Sequence, residues 1–163
     1  MFAAKIAITA AFLCSAIHST SVSEAPSKLS DTSKQEALAM VNRLRAKGCH
    51  CGRKYMPPVG PVVWNAQLEQ AALGHANDML RHDFFAHESS DGSGIGDRAD
   101  RAGYQWRAVG ENIAQGYPNF QRTLLAWQAS SGHCINLMRG GYSEMGVALV
   151  GDIWVQDFGD PLP

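Results

Sequence analysis

Three side chains in this 163-residue sequence carry the chemistry of a metal or acid/base site: His87, Glu111 and His133. Each stands among small or flexible residues: His87 before Glu88-Ser89-Ser90, Glu111 after Gly110, His133 after Gly132. Two imidazoles and a carboxylate can ligate one Zn²⁺ and leave a fourth position for water. Without metal the same groups form a hydrogen-bonded acid/base cluster, because histidine changes charge near neutral pH. They lie far apart in the chain, so spacing alone makes them candidates and nothing more. Ser89 is a nucleophile only if a base activates it, and ordinary hydrogen bonding explains it more simply.

Other chemistries find little support. The sequence has no HExxH, Walker A, GxSxG or CxxC motif. Gly92, Gly94 and Gly96 follow no strand signal, so they read as sharp turns beside a site rather than a dinucleotide fingerprint. Asp91 and Asp97 flank that turn, but the full calcium-loop pattern is missing. Fourteen Lys/Arg against fifteen Asp/Glu give a net charge of -1, without the basic excess that phosphate contacts need, so no nucleic-acid partner is expected.

The front of the chain reads as an address. Lys5 precedes a mostly apolar run from Ile6 to Leu13, and small residues follow at Cys14-Ser15-Ala16 and Ser23-Glu24-Ala25. This is the pattern of a signal peptide over residues 1–25, too short for a comfortable membrane span. A lipid anchor through Cys14 is the weaker reading, since Leu13 stands where a small residue is wanted. Secretion or a periplasmic location follows, with a flexible leader over 26–32 and a single domain over 33–160. Beyond the signal, Cys49, Cys51 and Cys134 remain. Cys49 and Cys51 are too close to pair without strain, so the expected bridge joins Cys134 to Cys49 or Cys51. An oxidising compartment permits it. Cys49-His50-Cys51 is half of a zinc pattern with no second pair. A monomer is the default, and the odd cysteine leaves a disulfide-linked dimer open.

Hydrophobic spacing supplies the scaffold. Ser33 and Glu36 form a capping-box spacing before Ala37, Leu38, Val41 and Leu44, which predicts a helix ending near Gly48. Asn65 is a plausible N-cap for a second helix with Leu68, Ala71, Ala72, Ala76, Met79 and Leu80 on one side, and His75 shares that face. A short helix is expected over Asp97 to Ala102. A strand is expected within Tyr104 to Ala114, interrupted at Gly110 and Glu111. Another helix spans Phe120 to Trp127, with Leu124 and Leu125 turned inward beside Trp127. Val147 to Val150 and Ile153 to Phe158 read as a hairpin around Gly151-Asp152. Trp64, Trp127 and Trp154 read as core anchors, whereas Trp106 and Tyr117 are placed to touch a ligand. Helices over an antiparallel sheet is the economical α+β arrangement.

Four segments in order sharpen this reading: His87-Glu88-Ser89; Gly110-Glu111-Asn112-Ile113; Trp127 through Asn136; and Trp154-Val155-Gln156-Asp157-Phe158-Gly159. Together they resemble the CAP superfamily of cysteine-rich secretory proteins, antigen 5 and pathogenesis-related 1 proteins, in its short bacterial secreted branch with an SCP domain. The resemblance extends from about Glu36 to Gly159. It implies a three-layer α-β-α sandwich with a central antiparallel sheet, and a cleft in which His87 and His133 are the two histidines and Glu111 the motif glutamate. A second cleft glutamate of eukaryotic members falls at Ser130 here, so the acid set is incomplete; no motif places Glu144 there instead. Ser89, Asn112 and Ser130 become cleft-supporting residues. Eukaryotic relatives bind sterols and fatty acids, so the leading expectation is a secreted binding protein. Its cleft would hold a divalent metal, Zn²⁺ first, near a lipid or cell-envelope ligand. The alternatives are a metal-assisted hydrolase of peptides, peptidoglycan or lipid esters, and an extracellular interaction or defence protein with a non-catalytic cleft.

Overall fold

A computed structural model describes residues 29–163. The expected signal peptide, both of its processing sites and Cys14 lie outside the described residues. The helices are α1 (Asp31–Lys47), α2 (Ala66–His82), α3 (Ile95–Arg101), α4 (Phe120–Ala129) and α5 (Ser131–Leu137). The strands are β1 (Cys49–Cys51), β2 (Lys54–Met56), β3 (Val63–Trp64), β4 (Trp106–Gln115), β5 (Glu144–Val150) and β6 (Ile153–Pro161).

Helix starts follow their caps. The Ser30 hydroxyl accepts from the Ser33 amide at 3.1 Å, so α1 begins one residue after Ser30, earlier than the Ser33/Glu36 spacing suggests. It stops at Gly48, whose φ of 71° favours glycine. Asn65 caps α2 as expected, its side-chain oxygen accepting from Gln67 N at 2.8 Å and Leu68 N at 3.1 Å.

The main sheet runs β3-β5-β6-β4, leaving β4 as an edge. β5 and β4 each pair antiparallel with β6, while the two-residue β3 joins β5 in parallel. Successive strand residues point to opposite faces, and this alternation sorts the core into two layers. Val147, Trp154 and Phe158 pack with Val41, Leu124, Trp127 and Leu137, which puts α1, α4 and α5 on one face. Ala148, Val150, Ile153 and Val155 pack with Ala72, Ala76 and Met79, which puts α2 on the other. The result is the α-β-α sandwich. The second layer sits very close to the sheet: a Cβ on Gly146 of β5 would overlap the backbone nitrogen of Glu69 in α2.

Several local expectations need correction. Leu80 and Leu125 are exposed, not inward, because each lies one position, about 100° of helix, beyond the buried Met79 or Leu124. Gly110 and Glu111 do not interrupt β4. The Gly110 position opens directly onto the Tyr142 hydroxyl, which leaves no room for a side chain there. Trp127 and Trp154 are core residues, but Trp64 is only partly buried and donates to Glu69 Oε2 at 3.1 Å. The β1–β2 hairpin and the break between α4 and α5 carry no clear hydrophobic period and are new with the structure.

Candidate functional site

The site is built on the edge strand. Glu111 of β4 stands opposite Asp157 of β6 in the ladder, so both side chains leave the same face, toward α2 and α3. The next residues on each strand, Asn112 and Gln156, face α5 instead.

Glu111 is buried and fully engaged. Its Oε1 accepts from His87 Nδ1 at 2.7 Å and its Oε2 from Arg98 Nη2 at 2.6 Å. Arg98, buried on α3, also donates through Nη1 to Ser89 Oγ at 2.8 Å, Ser93 O at 3.0 Å and His87 O at 3.2 Å. One guanidinium thus neutralises the glutamate and fixes the 87–93 segment that carries His87. His75 completes this cluster from α2. It is fully buried, with Nε2 donating to Ala86 O at 2.9 Å and lying 3.8 Å from Glu111 Oε2. That assignment leaves Nδ1 to accept from Ser89 Oγ at 3.3 Å. Burial pushes the His75 pKa down against the pull of Glu111, which keeps the ring neutral.

The two expected cleft histidines behave oppositely. The His87 pKa is raised, chiefly by its hydrogen bond to Glu111, with burial opposing. Because Nδ1 donates to the carboxylate, neutral His87 presents its lone pair at Nε2. His133 comes from α5, in the other layer, and its buried Nδ1 meets no partner among the described residues. Its pKa is lowered, first by burial and then by the charge of His87. A cavity of about 580 Å³ opens beside His87 and Glu111, lined also by Glu88, Gly92, Gly94 and Ile95.

The supporting residues divide by layer. Asn112 Nδ2 lies 3.4 Å from His133 O and 3.3 Å from Gln156 Oε1, and its Oδ1 accepts from Asn136 Nδ2 at 3.1 Å. Asn136 also donates to Glu111 O at 3.0 Å, so a chain of amides holds α5 against the edge strand. Ser130 is the extended residue between α4 and α5, and its carbonyl accepts from Cys134 N at 2.9 Å. Several amides around Ser89 are already engaged: its own N–H goes to Ser93 O, and those of Ser90, Gly92 and Ser93 go to Asp78, Ser89 O and Asp91. The Ser89 hydroxyl links His75 to Arg98.

Other candidates lie elsewhere. Asp91 accepts from Ser93 and pairs with Arg101, and Asp97 accepts from Gly94 N, so both carboxylates order the turn. Trp106 covers Gly96 and donates to Asp100 at 2.9 Å. Tyr117 offers its carbonyl to Trp154 Nε1 at 2.9 Å. Glu144 accepts from Asn65 Nδ2 at 3.1 Å and serves the start of α2.

Cys51 and Cys134 form a disulfide with a Cα–Cα separation of 5.3 Å, and among the described residues Cys49 is left as a thiol. The three sulfurs lie within 4.8 Å of one another, a potential metal-ligating group once the disulfide is reduced. Burial raises the Cys49 pKa. Sequence reasoning missed Arg98 and Asp157. Arg98 belongs to no motif, and Asp157 lies in the Trp154–Gly159 string, where no sequence signal marks it as buried.

A family model described as the cysteine-rich secretory protein family, CAP, matches residues 38–158. The uncharacterized membrane protein YlbC of Bacillus subtilis is 26% identical over 131 residues, covering 80% of this chain and 35% of that protein. The uncharacterized protein YkwD of the same organism is 30% identical over 100 residues, 60% of this chain and 39% of its own length. The chain thus spans little more than a third of either relative. Among solved structures, an extracellular SCP-domain protein from Bacillus anthracis superposes with a TM-score of 0.69 at 26% identity, over 78% of this chain and 40% of that one. An outer surface protein of Borrelia burgdorferi gives 0.71 at 18% identity, over 85% of this chain and all of that one, a likeness of fold. Among the described residues no helix is long and apolar enough to cross a membrane.

Proposed function

The chain belongs to the cysteine-rich secretory protein (CAP) family, and from that premise we propose that it is a secreted binding protein whose cleft holds a divalent cation between His87 and His133. Zinc is the expected ion, and a small lipid or cell-envelope molecule would occupy the cavity beside it. The observation that carries this reading is the complementary state of the two rings. His87 is oriented by Glu111 through Nδ1 and has Nε2 to offer, while His133 has a buried nitrogen with no hydrogen-bond partner among the described residues. A carboxylate behind a ligating imidazole fixes its tautomer and raises its basicity.

Glu111 enters as the residue that orients His87 rather than as a third direct ligand, because both of its oxygens are already engaged. A zinc ion held there by two imidazoles supplies Lewis acidity and open positions for solvent or ligand. The extracellular SCP-domain relative supports a location outside the cytoplasm.

Calorimetric titration of Zn²⁺ into the oxidised protein, beside a His87→Ala/His133→Ala variant, tests the reading. One-to-one binding that disappears in the variant upholds it. Unchanged binding in the variant, or none by either protein, overturns it.

A further inference from the structure

We propose that Cys49, Cys51 and Cys134 form a thiol–disulfide exchange site that moves the free thiol between an accessible position and a buried one. Cys49 and Cys51 are two apart on β1, so their side chains share one face of the strand, and that face meets Cys134 of α5. Cys49 Sγ lies 3.6 Å from Cys134 Sγ, while Cys51 Sγ is bonded to it. The central sulfur therefore has both possible partners near it, and with all three sulfurs within 4.8 Å of one another the Cys49 side chain must swing toward the extension of the Cys51–Cys134 bond before it attacks.

The step balances without an outside oxidant. The Cys49 thiolate attacks Cys134 Sγ, the new Cys49–Cys134 bond forms, and the Cys51–Cys134 bond breaks. Cys51 leaves as the thiolate and takes up the proton that Cys49 gave. One thiol and one disulfide stand on each side.

The two forms differ in what the surroundings can reach. Cys49 is half-buried, whereas Cys51 is only 2% exposed. With Cys51–Cys134 closed, the protein offers a thiol to a small external disulfide or thiol-reactive molecule. With Cys49–Cys134 closed, that thiol is withdrawn beneath the hairpin. In both forms α5, and with it His133 beside Cys134, stays tethered to β1.

Peptide mapping of the protein purified without reductant gives the test. Acid unfolding freezes exchange, a maleimide then marks the free thiol, and tryptic cleavage at Lys47 and Arg53 releases one peptide holding both Cys49 and Cys51. Fragmentation between them locates the label. The expected result is label on both residues, with the minor form making up about a tenth or more of the molecules. Label confined to Cys49 overturns the proposal. A Cys51→Ser variant gives a second readout: it should close a Cys49–Cys134 disulfide under air, and a folded variant with two free thiols would also overturn it. A Cys49→Ser variant should show the fixed Cys51–Cys134 pair and no label in the peptide.

Discussion

Asp157 stands directly across the ladder from Glu111, and the two carboxyls share one cation unequally. Glu111 takes Arg98 at 2.6 Å, whereas neither oxygen of Asp157 meets a donor among the described residues. A fully buried carboxylate so placed is costly, and burial, reinforced by the Glu111 charge, holds the Asp157 pKa well above the usual range. That shift favours the protonated form of Asp157 beside Glu111.

That protonation dictates a pH dependence. Above about pH 4 the unfolded chain releases the Asp157 proton while the fold keeps it, so stability from this group falls as pH rises toward the folded pKa. Asp157→Asn removes the titration and retains a neutral donor. The variant should gain on the native protein by roughly 1–3 kcal/mol at pH 7.5 and show no gain near pH 4. Urea midpoints at the two pH values decide it. An equal difference at both would mean that Asp157 is ionised in the fold.

Arg98 is the reverse case, a buried cation whose removal strands its partner. Arg98→Met keeps much of the stem but leaves Glu111 without its counter-charge, a loss of about 3–5 kcal/mol. Adding Glu111→Gln to that variant should restore a large part of the loss, since the stranded charge disappears. A denaturation cycle over the four proteins measures the coupling, and additive losses would contradict it.

The histidines should titrate apart. His87 is raised by its bond to Glu111, and His133 is lowered by burial and by His87. In an NMR titration of the metal-free protein, His87 should therefore protonate above the ordinary 6.5 and His133 below it. His87 contributes stability that is complete below pH 6.5 and fades as pH rises through its folded value. His133 does the opposite, its contribution fading as pH falls. Glu111→Gln should bring the His87 midpoint down, and an unmoved midpoint would separate the two residues.

Much of this site was legible in the residues because its ligating groups sit in short, distinctive strings. His87, Glu111 and His133 could be singled out, and the resemblance arranged them in a cleft. What escaped was what surrounds them. Asp157 differs from an exposed strand aspartate only by the neighbour that faces it across β4 and β6, and pairing register is a long-range property. Arg98 looks like any helix-surface arginine until the 87–93 loop folds over it. Leu80 and Leu125 show the same blindness in helices, where apolar composition fixes a face only to within one residue. The choice between Cys49 and Cys51 stayed open because both lie on one face of a strand that sequence periodicity did not reveal.

The seat of α2, which carries His75 into the cluster, depends on Gly146. Gly146 lies beneath Glu69, and a Cβ there would overlap backbone that no rotamer change can move. Gly146→Ala should therefore lift α2 from β5 and cost roughly 1–3 kcal/mol. The shift should also loosen His75 from Ala86 O and Ser89 Oγ, seen as faster exchange of the His75 ring proton. Gly74→Ala is the matched control on the same helix. It is exposed, with nothing within 4 Å of the added methyl, so it should stabilise by about 0.5–1 kcal/mol and leave His75 unaffected. If both substitutions stabilised, α2 would not rest on Gly146, and the close seat of His75 against Glu111 would need another cause.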